Sequence, residues 1–399
     1  MMKITFLGDI MCEPPVLRGA KKPDGSYDFS YTFDHVRSLI READYVVSNL
    51  ETPLAGEAAT YTGDDFFKFN APDSYAQAIK EAGVDLISTV NNHTYDRGYD
   101  GMYRTLDVLD AIGLSHTGTF RKGARQEAAY FTVGDTKVAV IAYTYSTNYG
   151  ASGGKYLAEG EHEGTVNLLK PQTISTFLPK KRKTHWFDKL TKKHLSPDLR
   201  GRIKVALGMP NQYPRQDDRL EIEPMEPHMA KLKADIQLAK TKADIVIAYP
   251  HIGGQFDPEP GAFTKYVVDR LVEFGADAVV ASHAHCVQPV TYINGVPCAY
   301  SIGNFNMTPD SGIVWLPSLP GYGLALHLYL KDRKIVKLTF SILSARREHG
   351  GVAPWPVDPL APTLKGKKLA ELERCVRQIY RTTTGKDLTG QLIRKEYEL

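Results

Sequence analysis

The sequence predicts an α/β protein, a β-sheet covered by helices on both faces. Three observations carry that expectation. Short apolar, β-branched runs alternate with amphipathic stretches of helical length along most of the chain. Polar residues of metal-ligand type fall just past the ends of the apolar runs, where open α/β sheets bind ligands. A chain of 399 residues with 42% hydrophobic and 24% charged residues has the composition of a globular protein and the length for a sizeable core.

Taken in order, the strands are expected at 3–7, 44–48, 85–90, 137–143, 244–249, 277–281 and 297–302, with helices at 34–43, 73–82, 100–112, 228–242 and 262–275. In the last helix Tyr266, Val267, Leu271 and Phe274 recur on one face. The rhythm breaks over 146–227, which is rich in Gly, Pro and charge. Between Lys180 and Lys204 it holds ten Lys or Arg against Asp188 and Asp198. It reads as an insertion or small cap. A Pro- and Gly-rich loop after Asn304 leads to strands near 322–330 and 334–344, and a helix with a polar tail follows Pro362. The expected organisation is therefore a core of 1–145 and 228–350, an inserted segment 146–227, and a C-terminal helical extension 351–399.

Composition excludes several classes. A formal net charge of +3 gives no general attraction to nucleic acid, so any polyanion argument rests on a local patch. Four cysteines, Cys12, Cys286, Cys298 and Cys375, do not make a disulfide framework in so long a chain, and persistent thiols favour a reducing compartment. The apolar run after Met1-Met2-Lys3 is too short for a signal peptide, and no stretch approaches a membrane span. The expectation is a cytoplasmic protein; the oligomeric state is not legible.

The chemistry is concentrated at the strand ends. Strand 3–7 ends in Gly8-Asp9, 44–48 in Asn49-Leu50-Glu51, and 85–90 in Asn91-Asn92-His93 with Asp96 beyond. Strand 244–249 ends in Pro250-His251, 277–281 in Ser282-His283-Ala284-His285, and 297–302 in Gly303-Asn304. Singly, most of these are ordinary turn or packing residues. Together they are six coincidences at one edge, and two imidazoles one residue apart at a strand end seldom serve packing. Carboxylate, amide oxygen and imidazole suit a divalent Mn, Fe or Zn ion, and a carboxylate between two neutral ligand sets suits a pair of ions.

These strings resemble the CapA-type family of poly-γ-glutamate capsule-synthesis proteins, which has a calcineurin-like metallophosphoesterase fold. The resemblance runs through Gly8-Asp9-Ile10-Met11, Ser48-Asn49-Leu50-Glu51, Asn91-Asn92-His93 with Asp96-Arg97-Gly98, and His251-Ile-Gly-Gly. It continues in Gly275-Ala276-Asp277, His283-Ala-His285-Cys-Val-Gln288-Pro289 and Tyr300-Ser301-Ile302-Gly303-Asn304-Phe305, covering 1–145 and 228–305 in the family's order. It implies a β-sheet core or sandwich flanked by helices. It also implies that Asp9 and His285 hold one ion, that Glu51 bridges, and that Asn92, His251 and His283 hold a second. His93 would act as general acid or polarising group, oriented by Asp96, and Arg97, Gln288 and Asn304 would bind substrate. Two departures stand out. Met11 occupies a position where metallophosphoesterases usually have a His, so one ion or two remain open. Gln255 stands where an acid is common, with Asp257 and Glu259 close by. Capsule-type members commonly carry a membrane anchor, which is not seen here.

The leading expectation is a metal-dependent hydrolase of a phosphoester or an amide-linked polymer. The alternatives are metal-assisted acid–base chemistry without hydrolysis, and a non-catalytic capsule-polymer binder. The basic run Pro179–Lys183, followed by His185, Trp186, Phe187 and Lys189, reads first as a solvated face, with contact to an anionic substrate or polymer as its functional alternative.

Overall fold

The apolar runs form strands, and the strands fall into two sheets. In the computed structural model, which describes residues 1–63, 68–149, 152–177, 214–310 and 315–399 with short stretches between 186 and 209, the chain opens with four parallel strands. These are β1 (Met2–Ile10), β2 (Tyr45–Leu50), β3 (Leu86–Ser88) and β4 (Ser115–Thr117), adjacent in that order. A second sheet follows from β5 (Ala129–Val133), β6 (Thr136–Thr144), β7 (Ile245–Ile252), β8 (Ala278–Val280), β9 (Ser282–His283), β10 (Val290–Ile293) and β11 (Val296–Ala299). Its order is β10-β11-β8-β7-β6-β5, with β9 beside β7. The chain then returns to the first sheet through β12 (Tyr322–Lys331), β13 (Lys334–Glu348), β14 (Gly351–Pro356) and β15 (Tyr397–Glu398). The antiparallel strand β12 lies along the free edge of β1, and β13 pairs with both β14 and β15.

The two sheets pack face to face. On β12, Leu324, Leu326, Leu328 and Leu330 point inward, as do Ile4 and Phe6 of β1, and they meet Val138, Val140, Ile245, Ile247 and Tyr249 of the second sheet. That period of two follows from the pleat. The outer face of the first sheet buries Leu7, Val46 and Ile87 beneath the helices Asp73–Ala82 and Gly98–Ile112. The outer face of the second buries Val246, Ala248 and Val279 beneath Glu226–Lys240 and Ala262–Phe274. The protein is a helix–sheet–sheet–helix sandwich. This differs from the single sheet that periodicity suggests, because each strand is apolar on both faces whether a sheet or a helix covers it.

After residue 350 the chain carries the helix Lys367–Thr384 and also adds two strands to the first sheet. Leu372, Val376 and Ile379 of that helix join the inter-sheet core. Over 146–227 the described residues hold short helical pieces and irregular chain, and the basic run Pro179–Lys183 lies outside the described residues. Among the described residues no helix is long and apolar enough to cross a membrane.

Candidate metal centre

Strand ends from both sheets converge on one buried point. Asp9, Glu51 and Asn92 come from the first sheet, and His251, His283 and His285 from the second; all six are buried. The pairing of β1 with β2 shifts register between Phe6 and Asp9, a bulge that re-aims the aspartate. Gly8 allows the approach of the other wall, since a Cβ there would collide with the Gly303 carbonyl. His283 and His285 lie at φ of 99° and 54°, backbone conformations that side chains other than Gly rarely adopt. Such strain clusters at functional sites.

Glu51 is the centre of the constellation. Its Oε1 lies 3.4 Å from His251 Nε2, 3.7 Å from His285 Nε2 and 3.8 Å from His93 Nε2. Both of its oxygens are buried without a hydrogen-bond partner, and so is His283 Nε2. Buried polar atoms are rarely orphaned, and a cation is the group these three atoms would satisfy. Among the described residues, two sets of His, Cys, Asp and Glu could share an ion: Glu51, His251 and His283, and Asp9, Glu51 and His285. In each set the ligand atoms lie within 4.8 Å of one another. Glu51 belongs to both. The amide of Asn92 adds an oxygen beside the first set, 2.7 Å from His251 Nε2.

Electrostatics favours the metal-binding forms of Glu51 and His283. Burial alone raises the Glu51 carboxyl, but His285 and His251 outweigh it and bring it down to about 2. Asp9 shifts the other way, raised first by burial and then by the charge of Glu51. The carboxylate nearest the imidazoles keeps its charge, and its neighbour then ionises less readily. His283 falls well below its ordinary value through burial and the neighbouring His251 and His285, which leaves the neutral imidazole that metals bind.

A set of amides and a hydroxyl orients these groups. Asn49 Nδ2 donates to Asp9 Oδ1 at 2.7 Å, and Asn91 Nδ2 donates to Asn49 Oδ1 at 3.1 Å. Ser282 Oγ lies 3.1 Å from His251 Nδ1. Asn304 Nδ2 donates to the His285 and Pro320 carbonyls, both at 2.9 Å, so Oδ1 is the atom 2.8 Å from His285 Nδ1. His285 therefore donates from Nδ1, which holds its ring with Nε2 turned toward Glu51. Asn49, Asn91 and Ser282 are additions to the expected site, although each belongs to a strand-end string that carries a ligand. His93 Nδ1 lies 2.6 Å from Asp96 Oδ2. Burial draws its pKa down, but Asp96 and then Glu51 prevail and hold it above the ordinary value.

The three residues expected to bind substrate all hydrogen-bond within the protein. Asn304 is committed to His285, as above. Gln288 is fully buried and donates to the Asp257 carbonyl at 2.8 Å. Arg97 donates to the carbonyls of Phe69 at 3.1 Å and Lys68 at 3.2 Å. At the position lacking a histidine, Met11 packs with Phe69, Phe256 and Met307 in an apolar wall. The Phe69 ring lies 4.4 Å from that of His93, and the Phe256 ring 5.8 Å from that of His285. Neither neighbour of Met11 compensates: the Cys12 thiol is pushed up by burial, and the Glu13 carboxylate accepts the Thr308 N–H. Near Gln255, the Asp257 carboxylate accepts the Glu259 N–H at 3.1 Å, and neither acid belongs to an ion-sharing set.

The profile of the bacterial capsule synthesis protein family PGA_cap matches residues 3–308. The chain belongs to that family. PGA_cap proteins are part of the calcineurin-like metallophosphoesterase superfamily, and the sandwich described above is its metallophosphatase-like fold. All six convergent residues lie inside the PGA_cap match, while β12 to β15 lie outside it. Among relatives, the chain is 22% identical over 325 residues to the PGA biosynthesis protein CapA of Bacillus subtilis (strain 168), covering 79% of this chain and 67% of that protein. It is 24% identical over 323 residues to the capsule biosynthesis protein CapA of Bacillus anthracis, covering 78% and 63%. This PGA_cap chain thus spans about two thirds of the length of the curated relatives it matches. A crystal structure of a hypothetical protein from Thermus thermophilus aligns over 86% of this chain and 99% of its own, at 15% identity and a TM-score of 0.44. The buried Asp, Glu and His groups of this PGA_cap protein are compatible with a metal site.

Proposed function

We propose that this chain is a metal-dependent hydrolase of capsule biosynthesis, acting on an anionic substrate, either a phosphoester or an amide-linked polymer such as poly-γ-glutamate. The observation that carries the reading is Glu51, whose two buried, unpartnered carboxylate oxygens stand between two histidine sets. Asn92, His251 and His283 would hold one Mn, Fe or Zn ion with Glu51, and Asp9 and His285 a second. The apolar wall at Met11 supports weaker occupancy of the Asp9 position, so one ion per chain is the favoured count. When bound, such a cation supplies Lewis-acid polarisation and an activated water.

The chain's own residues supply the proton handling. Asp96 fixes the His93 ring through Nδ1, and Nε2 then faces the Glu51 side of the site, where it can give a proton to a leaving group. The Phe69 ring packs against that of His93 at 4.4 Å.

Elemental analysis of the purified protein beside Asp9→Ala and His283→Ala, with turnover of a phosphoester and γ-glutamyl panel, tests the reading. Bound metal that drops in His283→Ala, with turnover lost by about 100-fold or more in His93→Ala at unchanged metal content, is expected. Wild-type protein that takes up no metal on reconstitution would sink it. Metal-bound protein that turns over nothing but binds polymer would leave the non-catalytic alternative.

A further inference from the structure

Arg97, Gln288 and Asn304 each donate to carbonyls of the protein itself, and an anionic substrate has room for a further positive partner. The stretch by which the 146–227 segment returns to the core offers one. Arg215 N donates to the Gln255 carbonyl at 2.8 Å, in the loop that follows His251. Two residues on, the buried Asp217 carboxylate accepts the N–H groups of Gly261 at 3.0 Å and Thr264 at 3.1 Å, at the start of the helix Ala262–Phe274. Gly254 and Gly261 have no room for a Cβ against the Arg215 carbonyl and Asp217. The backbone carrying Arg215 is therefore fixed to the loop beyond β7.

Its side chain is fixed as well. The Arg215 guanidinium lies 3.8 Å over the Phe177 ring, and Phe177 stands edge-on to Tyr145 at 5.7 Å and 87°. Tyr145 in turn packs against His283 at 4.6 Å. Lys170 Nζ lies 6.0 Å from the Tyr145 ring, where it donates to the Pro171 carbonyl at 3.2 Å. A guanidinium held in plane on an aromatic face presents the fork that recognises carboxylate or phosphate bidentately.

We infer that Arg215 is the substrate-anion residue of the metal centre, receiving a phosphate or carboxylate oxyanion on the His283 side. The location rests on the metal-centre reading above; the anion chemistry rests on the Arg215–Phe177–Tyr145 stack.

Calorimetric titration with inorganic phosphate and, separately, γ-glutamyl-glutamate tests it on wild type, Arg215→Lys and Arg215→Gln. Each protein is titrated metal-loaded and chelator-treated, with metal content and thermal midpoint measured alongside. Arg215→Gln is expected to weaken anion binding by about 10- to 100-fold at unchanged metal content, and Arg215→Lys by less. Preference for phosphate assigns a phosphoryl substrate, and preference for the dipeptide a carboxylate one. Equal affinity in wild type and Arg215→Gln, binding of neither anion by wild type, or loss of metal in Arg215→Gln would overturn the inference. Wild type without metal whose chelator-treated form still binds anion through Arg215 would fail the metal reading and keep this one.

Discussion

At the scale of single residues, the side chains behind the ligands fix the chemistry of the site. Asn304 never faces the centre, yet its amide decides which nitrogen of His285 does. Replacing it with Ala should leave the ligand set unchanged in sequence and still lower metal affinity by about 10- to 100-fold, as loss of such orienting partners does. Competition against a chromogenic chelator measures this, and affinity equal to wild type would show that His285 is oriented by other contacts. The six central residues are legible in the sequence because each directly follows an apolar run. The work of Asn304 and Arg215 is not. The string holding Asn304 ends a strand like the others, which groups it with substrate contacts, and nothing in sequence reveals that the Pro320 and His285 carbonyls consume its amide hydrogens. Arg215 lies in a segment without periodic pattern, and only the fold brings it over Phe177, which in turn meets Tyr145.

Among the elements, the first sheet carries its own pH sensitivity. His327 on β12 is buried between Thr5 of β1, 2.9 Å from Nδ1, and Ser341 of β13, 3.1 Å from Nε2. Burial, with Lys3 adding to it, lowers its pKa from 6.5 to about 3. The folded protein therefore holds this ring neutral while the unfolded chain protonates it below 6.5. The stability is fully present above that pH and is lost as pH falls toward 3, at up to about 1.4 kcal/mol per pH unit. Urea unfolding of wild type and His327→Gln at neutral pH and near pH 5 should show a larger loss in wild type, and equal losses would exclude the ring as the source. The elements themselves are largely readable: the helix expected at 73–82 is Asp73–Ala82, and the strand at 137–143 is Thr136–Thr144. Partition into two sheets is not, because a run such as Ile245–Ile252 is buried at every position. Ser115–Thr117, three residues long, is too short to give a periodic signal.

For the whole molecule, the important fact is that each sheet brings half the constellation. Direct links between the sheets there include the Tyr249 hydroxyl, which donates to the Leu7 carbonyl at 3.0 Å, and the Phe6–Tyr249 ring pair at 5.3 Å. A cation shared between Glu51 and His251 would add a bond across the same gap. Metal should then stabilise the entire sandwich, by about 2.7 kcal/mol at a free concentration about 100 times Kd. Chelation is expected to lower the thermal midpoint by several degrees and to speed hydrogen exchange around both Asn91–His93 and Ser282–His285. A midpoint indifferent to chelator would mean that the sheets are held without help from the site.

The placing of β12 along β1 has a further consequence during synthesis. Met2 pairs with Leu330 and Phe6 with Leu326, so β1 waits for a strand made long after it. At roughly 5–20 residues per second, that wait is on the order of tens of seconds. Throughout it the nascent chain presents one edge of β1 unpaired, an invitation to mispairing that a ribosome-associated chaperone would need to cover. His285 emerges late in the same interval, so the candidate ligand set is likewise incomplete until near its end.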